Sequence, residues 1–182
     1  MTILVTGGAG FIGSNFLIDW ISQSNENIIN VDKLTYAGNL RSLISINLSK
    51  NYFFEKGDIG DANFLKKLLT KYKPRALINF AAESHVDRSI NDPSNFIETN
   101  IVGTYTLLES IKFYLKSINK TEKSNFRFIH ISTDEIYGSL NKNDRPFNEK
   151  NRMLPNSPYS ASKAASDHLV RAWYHTYNIP VI

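Results

Sequence analysis

An α/β fold built on a doubly wound parallel sheet, Rossmann-like, is predicted by three observations. Short apolar runs alternate with amphipathic stretches along all 182 residues, the pattern of repeated βαβ units. The runs Ile3-Leu4-Val5, Ile28-Ile29 with Val31, and Ala76-Leu77-Ile78 lack polar alternation, as strands covered on both faces do. A glycine-rich turn over Thr6–Gly13 joins the first run to the first amphipathic stretch.

The elements follow in order. Thr2–Thr6, Asn27–Asp32, Tyr52–Asp58, Ala76–Ala82 and Phe126–Ser132 read as strands by their β-branched and aromatic content. Gly10–Ile21 is a helix with Phe11, Ile12, Phe16, Leu17, Trp20 and Ile21 at helical spacing. Leu40–Leu48 is predicted as a second helix, and Asp61–Tyr72 as a third, opened by a capping Asp. Asp92-Pro93 starts a long helix carrying Phe96, Ile97, Ile101, Tyr105, Leu108, Ile111 and Leu115. Ser157-Pro158 starts the last, with Ser as cap and Pro where the first helical nitrogen needs no partner. Residues 138–156, rich in Asn, Lys, Asp and Pro, read as a loop. Asn178–Ile182 has the character of one more strand beginning. We therefore expect residues 1–182 to be one dinucleotide-binding domain, the N-terminal part of a longer protein.

Composition narrows the function. With 21 Lys plus Arg against 17 Asp plus Glu, the net charge is +4, but the basic residues are scattered and no run tracks a phosphate backbone, so nucleic acid is disfavoured. The absence of Cys removes disulfides, thiolate-bound zinc and thiol nucleophiles. No basic lead and apolar core of a signal peptide, and no apolar stretch of membrane-spanning length, is present; a cytoplasmic location is the expectation.

Glycines 7, 10 and 13 give G-x-x-G-x-x-G, one residue longer than the common dinucleotide fingerprint. The first is expected to make the tight turn, the second to let backbone approach a diphosphate, and the third to allow close packing, while the helix N-terminus faces the phosphates. Asp32 ends the second strand at the distance along the chain expected of the acid that binds the adenosine ribose. It also favours NAD over NADP. A 2′-phosphate ~4 Å from a carboxylate meets repulsion on the order of 4 kcal/mol at an effective dielectric of 20, softened if Lys33 lends its charge.

Tyr159 and Lys163 lie one turn apart at the start of the last helix. A nearby ammonium is expected to lower the phenol's pKa and make it a base for an alcohol proton. Such a pair arises readily by chance, and a second, Tyr52/Lys56, sits on a predicted strand where the two groups are too far apart to couple. Its place after the fifth strand gives the first pair its value. Ser132-Thr133-Asp134-Glu135 ends that strand, where open parallel sheets bind ligands. Neighbours on a strand face opposite ways, so the chain is expected to leave strand geometry at Asp134–Glu135. For Asp134 to donate a proton near neutral pH, burial or the Glu135 charge must raise its pKa. Ala81-Ala82-Glu83-Ser84-His85-Val86-Asp87-Arg88 follows the fourth strand, where the alanines would let backbone approach the nicotinamide ribose; His85 is not read as catalytic. His168 and His175 have no further ligand at metal spacing, so no metal is expected.

Together, segments 6–15, 31–39, 57–59, 81–90, 132–138 and 155–164 resemble the extended short-chain dehydrogenase/reductase family, and within it the dehydratases of dTDP-glucose. The resemblance runs over nearly the whole chain, and Asp-Lys-Leu-Thr-Tyr-Ala-Gly-Asn and Thr-Asp-Glu are its most specific segments. It implies NAD-dependent conversion of dTDP-glucose to dTDP-4-keto-6-deoxyglucose. Tyr159, assisted by Lys163, would take the C4 hydroxyl proton as hydride leaves C4. Glu135 would remove the C5 proton while Asp134 protonates the departing C6 hydroxyl, and hydride would return at C6. Thr133 would bind the C4 oxygen, and Ser84 would lie near the sugar. Gly7, Gly10, Phe11, Ile12, Gly13, Asp32, Lys33, Leu34, Thr35, Asp58, Ile59, Phe80, Ala81, Ala82, Ser84, Thr99, Tyr159 and Lys163 would contact NAD. Homodimerisation would use helices 93–116 and 158–177. The loop between Gly138 and Tyr159 is shorter than in many relatives, and the sugar-nucleotide domain would follow Ile182, which leaves the activity of these residues alone in question.

Two other readings compete. A nucleotide-sugar 4-epimerase of the same family would share the glycine turn, Asp32 and Tyr159/Lys163, but has no use for the acid pair. A non-catalytic dinucleotide-binding module would have no need of Thr133, Asp134, Glu135, Tyr159 and Lys163 together.

Overall fold

A computed structural model describes residues 1–182. Five strands, β1 (Thr2–Thr6), β2 (Asn27–Asp32), β3 (Tyr52–Lys56), β4 (Ala76–Asn79) and β5 (Arg127–His130), form one parallel sheet in the order β3-β2-β1-β4-β5. The chain winds outward from β1 to β3, then returns to the centre and winds the other way. The sheet is thus doubly wound, with a switch point between β1 and β4 where ligands of such sheets bind. Residues 180–182 run parallel to β5, with Phe128 N donating to Pro180 O at 2.8 Å and Ile182 N to Phe128 O at 2.8 Å.

The three non-alternating runs are buried on both sides. Leu4, Ile29, Leu77 and Phe128 face one layer, built by α2 (Ala62–Tyr72), α5 (Thr104–Ser117) and α7 (Pro158–Tyr177). Ile3, Val5, Ile28 and Ile78 face the other, where Leu17 of α1 (Phe11–Gln23) and Leu43 cover them. Each such side chain contributes roughly 1.5–3 kcal/mol when fully withdrawn from water, so the central strands are the most firmly held backbone in the molecule.

Several boundaries differ from expectation. β3 stops at Lys56, β4 at Asn79 and β5 at His130, short of the predicted ends, because the strand ends open into a cleft. The helix expected over 40–48 is a 3₁₀ turn, Leu40–Leu43, followed by successive three-residue turns. The reason is spacing: only Leu43 and Ile46, three apart, face the core, while Ile44 and Leu48 are exposed. The long helix is broken into α4 (Ser94–Phe96), a π-helical segment Ile97–Gly103, and α5. Two short helices were not predicted, α3 (Val86–Asn91) and α6 (Lys120–Asn125). α6 buries nothing and so has no apolar period; a capping box of Asn119 and Glu122 holds its start. α7 begins as expected, with Pro158 at N1 and reciprocal capping between Ser157 and Ser160.

Candidate active site

The loops after all five strands converge on a cleft of about 400 Å³ at the switch point. The β1–α1 turn supplies Gly7, Gly10, Phe11, Ile12 and Gly13; β2 leads to Asp32, Lys33 and Thr35; β3 leads to Asp58 and Ile59. Phe80, Ala81, Ala82 and Ser84 follow β4, Ile131 and Ser132 follow β5, and Thr99, Tyr159 and Lys163 close the wall. Of the residues expected to hold a cofactor, Leu34 does not line the cleft. It sits at φ +59° with its side chain against the core beneath, turned there by the Asp32 carboxylate, which accepts its backbone N–H at 2.8 Å.

The glycines divide their work by geometry. Gly7 has φ +73°, and a Cβ there would stand 2.5 Å from Ala81 N, so it serves both the turn and the close passage of the β4 loop. A Cβ at Gly13 would strike the carbonyl of Gly7, so the third glycine packs helix on turn. At Gly10 a Cβ would meet only Gly7 O, at 3.3 Å; its other side is open to the cleft. α1 has no side-chain cap, and Phe11 and Ile12 at its first turn are exposed. Its unpartnered N–H end therefore faces the cleft, as a diphosphate requires.

Asp32, expected to bind a ribose, also holds backbone in place. Its second oxygen accepts Ala9 N at 2.9 Å, so one carboxylate ties the glycine turn to the end of β2 and still has lone pairs for a ribose diol. Lys33 does not lend Asp32 its charge: its ammonium lies 2.6 Å from Asp58 Oδ2. Burial pushes the Asp58 carboxyl up, but Lys33 and the Gly60 amide outweigh it, and the net shift is downward.

At the other end of the cleft the chain leaves β5 as expected. Thr133 accepts Glu135 N and caps a 3₁₀ turn, Asp134–Tyr137. The acids thus leave the alternating geometry of a strand. Both are exposed. Tyr159 faces this turn from α7. Its backbone N donates to Ser89 Oγ at 3.2 Å, and its ring packs edge-on against Phe96. Burial raises the phenol's pKa; Glu135 and Asp134 add to the rise, and the polar side chain of Thr133 opposes it. The expected lowering by Lys163 is not found. The buried Lys163 ammonium donates to Ile131 O at 2.6 Å, and its own pKa is lowered by burial. Its charge is spent on the strand end rather than on the phenol.

Asn100 was missed by sequence reasoning. Buried within the π-helical segment, it accepts Glu83 N and donates to Glu83 O and Ser162 Oγ, each within 2.9 Å. It thereby fixes the β4 loop against α7. An Asn inside an amphipathic stretch gives no signal of this; the π-bulge, common at functional sites, appears only in three dimensions.

The profile of the family described as GDP-mannose 4,6 dehydratase matches residues 4–182. The chain belongs to this family. Within the family's reach, it is 54% identical over 181 residues to a dTDP-glucose 4,6-dehydratase of Xanthomonas campestris pv. campestris, covering all of this chain and 51% of that protein. The crystal structure of DesIV, a dTDP-glucose 4,6-dehydratase from Streptomyces venezuelae solved with NAD bound, superposes with a TM-score of 0.89 at 42% identity, over 100% of this chain and 54% of that one. A Thermus thermophilus UDP-glucose 4-epimerase in complex with NAD gives a TM-score of 0.83 at 29% identity, over 100% and 53%. The chain spans about half the length of the curated relatives it matches.

Proposed function

We propose that the whole protein converts dTDP-glucose to dTDP-4-keto-6-deoxyglucose with bound NAD, and that these 182 residues supply its cofactor cleft and reacting side chains. The observation that carries this reading is the packing of the 3₁₀ turn of Asp134 and Glu135, capped by Thr133, against α7, whose Tyr159 lines the cleft that Ser132 of the same loop also borders. An epimerase needs the tyrosine but not the acid pair.

NAD, when bound, accepts a hydride from the sugar and later returns it. The uncapped start of α1 and the bare face at Gly10 would hold the diphosphate, and Asp32 the adenosine ribose. Ala81, Ala82 and Ser84 would border the nicotinamide end. Tyr159 takes the proton of the C4 hydroxyl, while Thr133 hydrogen-bonds the same oxygen. Once C4 is a ketone, the C5 proton is acidic. Glu135 removes it, and Asp134 protonates the hydroxyl leaving C6. Exposure of both carboxyls suits residues that a substrate must reach. Lys163 holds its charge beneath the tyrosine and fixes the β5 end.

The homodimer is part of the same proposal. Tyr105 and Phe113 of α5 and Tyr174 and Tyr177 of α7 are exposed aromatic residues on the two helices expected to pair, and α5 and α7 pack side by side. No helix is long and apolar enough to cross a membrane; a cytoplasmic enzyme is the reading we adopt. The test is incubation of the whole protein with dTDP-glucose. A base-labile 4-keto-6-deoxy product is expected, and a 4-epimer alone would overturn the assignment.

A further inference from the structure

Three consecutive residues at the end of β5 are each fastened to α7. His130 Nε2 lies 3.2 Å from Ser166 Oγ, Lys163 Nζ donates to Ile131 O at 2.6 Å, and Ser132 Oγ donates to Asp167 Oδ2 at 2.6 Å. Residues 163, 166 and 167 stand at i, i+3 and i+4 and so form one face of the helix. The next residue along the chain is Thr133, where the turn bearing both acids begins. The clasp therefore sets the register of that turn against the helix that carries Tyr159.

We propose that Asp167 is a positioning residue for this reacting set: through the Ser132 hydroxyl it fixes the end of β5 against α7, and its carboxylate is the counter-charge of the buried Lys163. This rests on the dehydratase reading above and deepens it.

The ammonium of Lys163 is buried and has a neutral carbonyl as its hydrogen-bond partner, and an uncompensated buried charge is costly. The groups facing it are few. On α7 itself these are Asp167, one turn on, with His168 beside that carboxylate, and Tyr159, one turn back, which borders the same cleft. From β5 comes His130, whose Nε2 lies 3.5 Å from Asp167 Oδ1 and whose burial favours the neutral ring. Asn79 Oδ1 accepts the Thr6 hydroxyl, so the Asn79 amide donates to His130 Nδ1. That leaves the proton on Nε2, donating to Ser166, whose own hydroxyl donates to Lys163 O. From the 3₁₀ turn, Glu135 and Asp134 face Tyr159. Asp167, one helical turn from Lys163 and held by the Ser132 hydroxyl, makes no direct ion pair with that ammonium but acts on it as the neighbouring carboxylate, and it adds to the field that raises Tyr159. Burial raises the carboxyl of Asp167 itself, opposed by the Ser132 hydroxyl, Lys163 and His168.

The role predicts a signature that packing alone would not produce. Asp167→Asn keeps an acceptor for Ser132 and removes the charge; Ser132→Ala removes the bond and keeps the charge. In the full-length protein, the titration of Lys163 is read from the ε-carbon resonances of labelled lysine, assigned by Lys163→Met. Asp167→Asn is expected to move the Lys163 midpoint about one pH unit lower, with Asp167→Glu restoring it and Ser132→Ala leaving it in place. An unmoved Lys163 midpoint in Asp167→Asn overturns the proposal, and this readout needs no turnover, so it stands or falls apart from the dehydratase reading. In turnover, the rate–pH profile of Asp167→Asn is expected to shift as a whole to lower pH, since Tyr159 and Lys163 both lose protons more readily; a profile lowered in height only contradicts it. Should Asp167→Asn not fold, Ser132→Ala decides. Faster amide exchange at Thr133–Glu135 supports the clasp, and unchanged exchange overturns it.

Discussion

Asp32 meets two backbone N–H groups and still borders the cleft, while Lys33, its neighbour along the chain, is engaged with Asp58. A 2′-phosphate placed beside Asp32 would find a carboxylate, with the Lys33 ammonium already paired to Asp58. Calorimetry is therefore expected to give NADP binding weaker than NAD by roughly 10–100-fold, a gap that closes in Asp32→Asn. His130 makes a second prediction at this scale. Burial, aided by Lys163, pushes its pKa down from 6.5 to about 3, so the folded protein keeps the ring neutral where the unfolded chain protonates it. The sign follows: as pH falls below 6.5 the unfolded state takes up a proton that the folded state refuses, and stability drops by about 1.4 kcal/mol per pH unit until the folded value is reached. Urea unfolding between pH 7 and about 5, above most carboxylate titration, is expected to show this slope and His130→Gln to flatten it.

At the level of elements, the site depends on how helices start and turns close. Ser157 and Ser160 cap each other's backbone at the start of α7, one residue before Tyr159. Ser157→Ala is expected to cost about 1 kcal/mol in denaturant unfolding and to weaken turnover by loosening the first turn that carries the phenol. Gly7→Ala places a side chain at φ +73° against Ala81; a loss of about 2 kcal/mol or more and of NAD binding is expected by the same methods. These two features were legible in the sequence, because a Ser-Pro start and spaced glycines are local signals. So were β1 and β2, whose bounds match residue for residue, and the departure from strand at Asp134. What was not legible depends on contacts distant in sequence. Lys163 chooses Ile131 O over the phenol, Asn100 reaches Glu83 and Ser162, and Asp32 turns Leu34 from the cleft. A polar side chain's partner is set by the packing of other elements, and no spacing rule names it.

For the molecule as a whole, the doubly wound order brings the acid pair of the β5 turn, Tyr159 of α7, and the glycine turn and Asp32 that follow β1 and β2 to one edge of the sheet. No single segment contains the site. The exposed aromatic residues of α5 and α7 lie away from that edge's glycine turn, and sedimentation of the whole protein is expected to show a dimer that Phe113→Glu with Tyr177→Glu dissociates; a monomer in the unaltered protein would remove that part of the proposal. The central claim is that Tyr159 and the two carboxyls serve successive steps at one carbon skeleton. Glu135→Gln separates those steps. On mixing the whole protein with dTDP-glucose, the variant is expected to develop the near-ultraviolet absorbance of reduced nicotinamide and to form no 6-deoxy product. Tyr159→Phe is expected to develop neither, with turnover down about 10²- to 10⁴-fold. Undiminished product formation by Glu135→Gln, or reduction of the cofactor by Tyr159→Phe at the unaltered rate, would contradict the account.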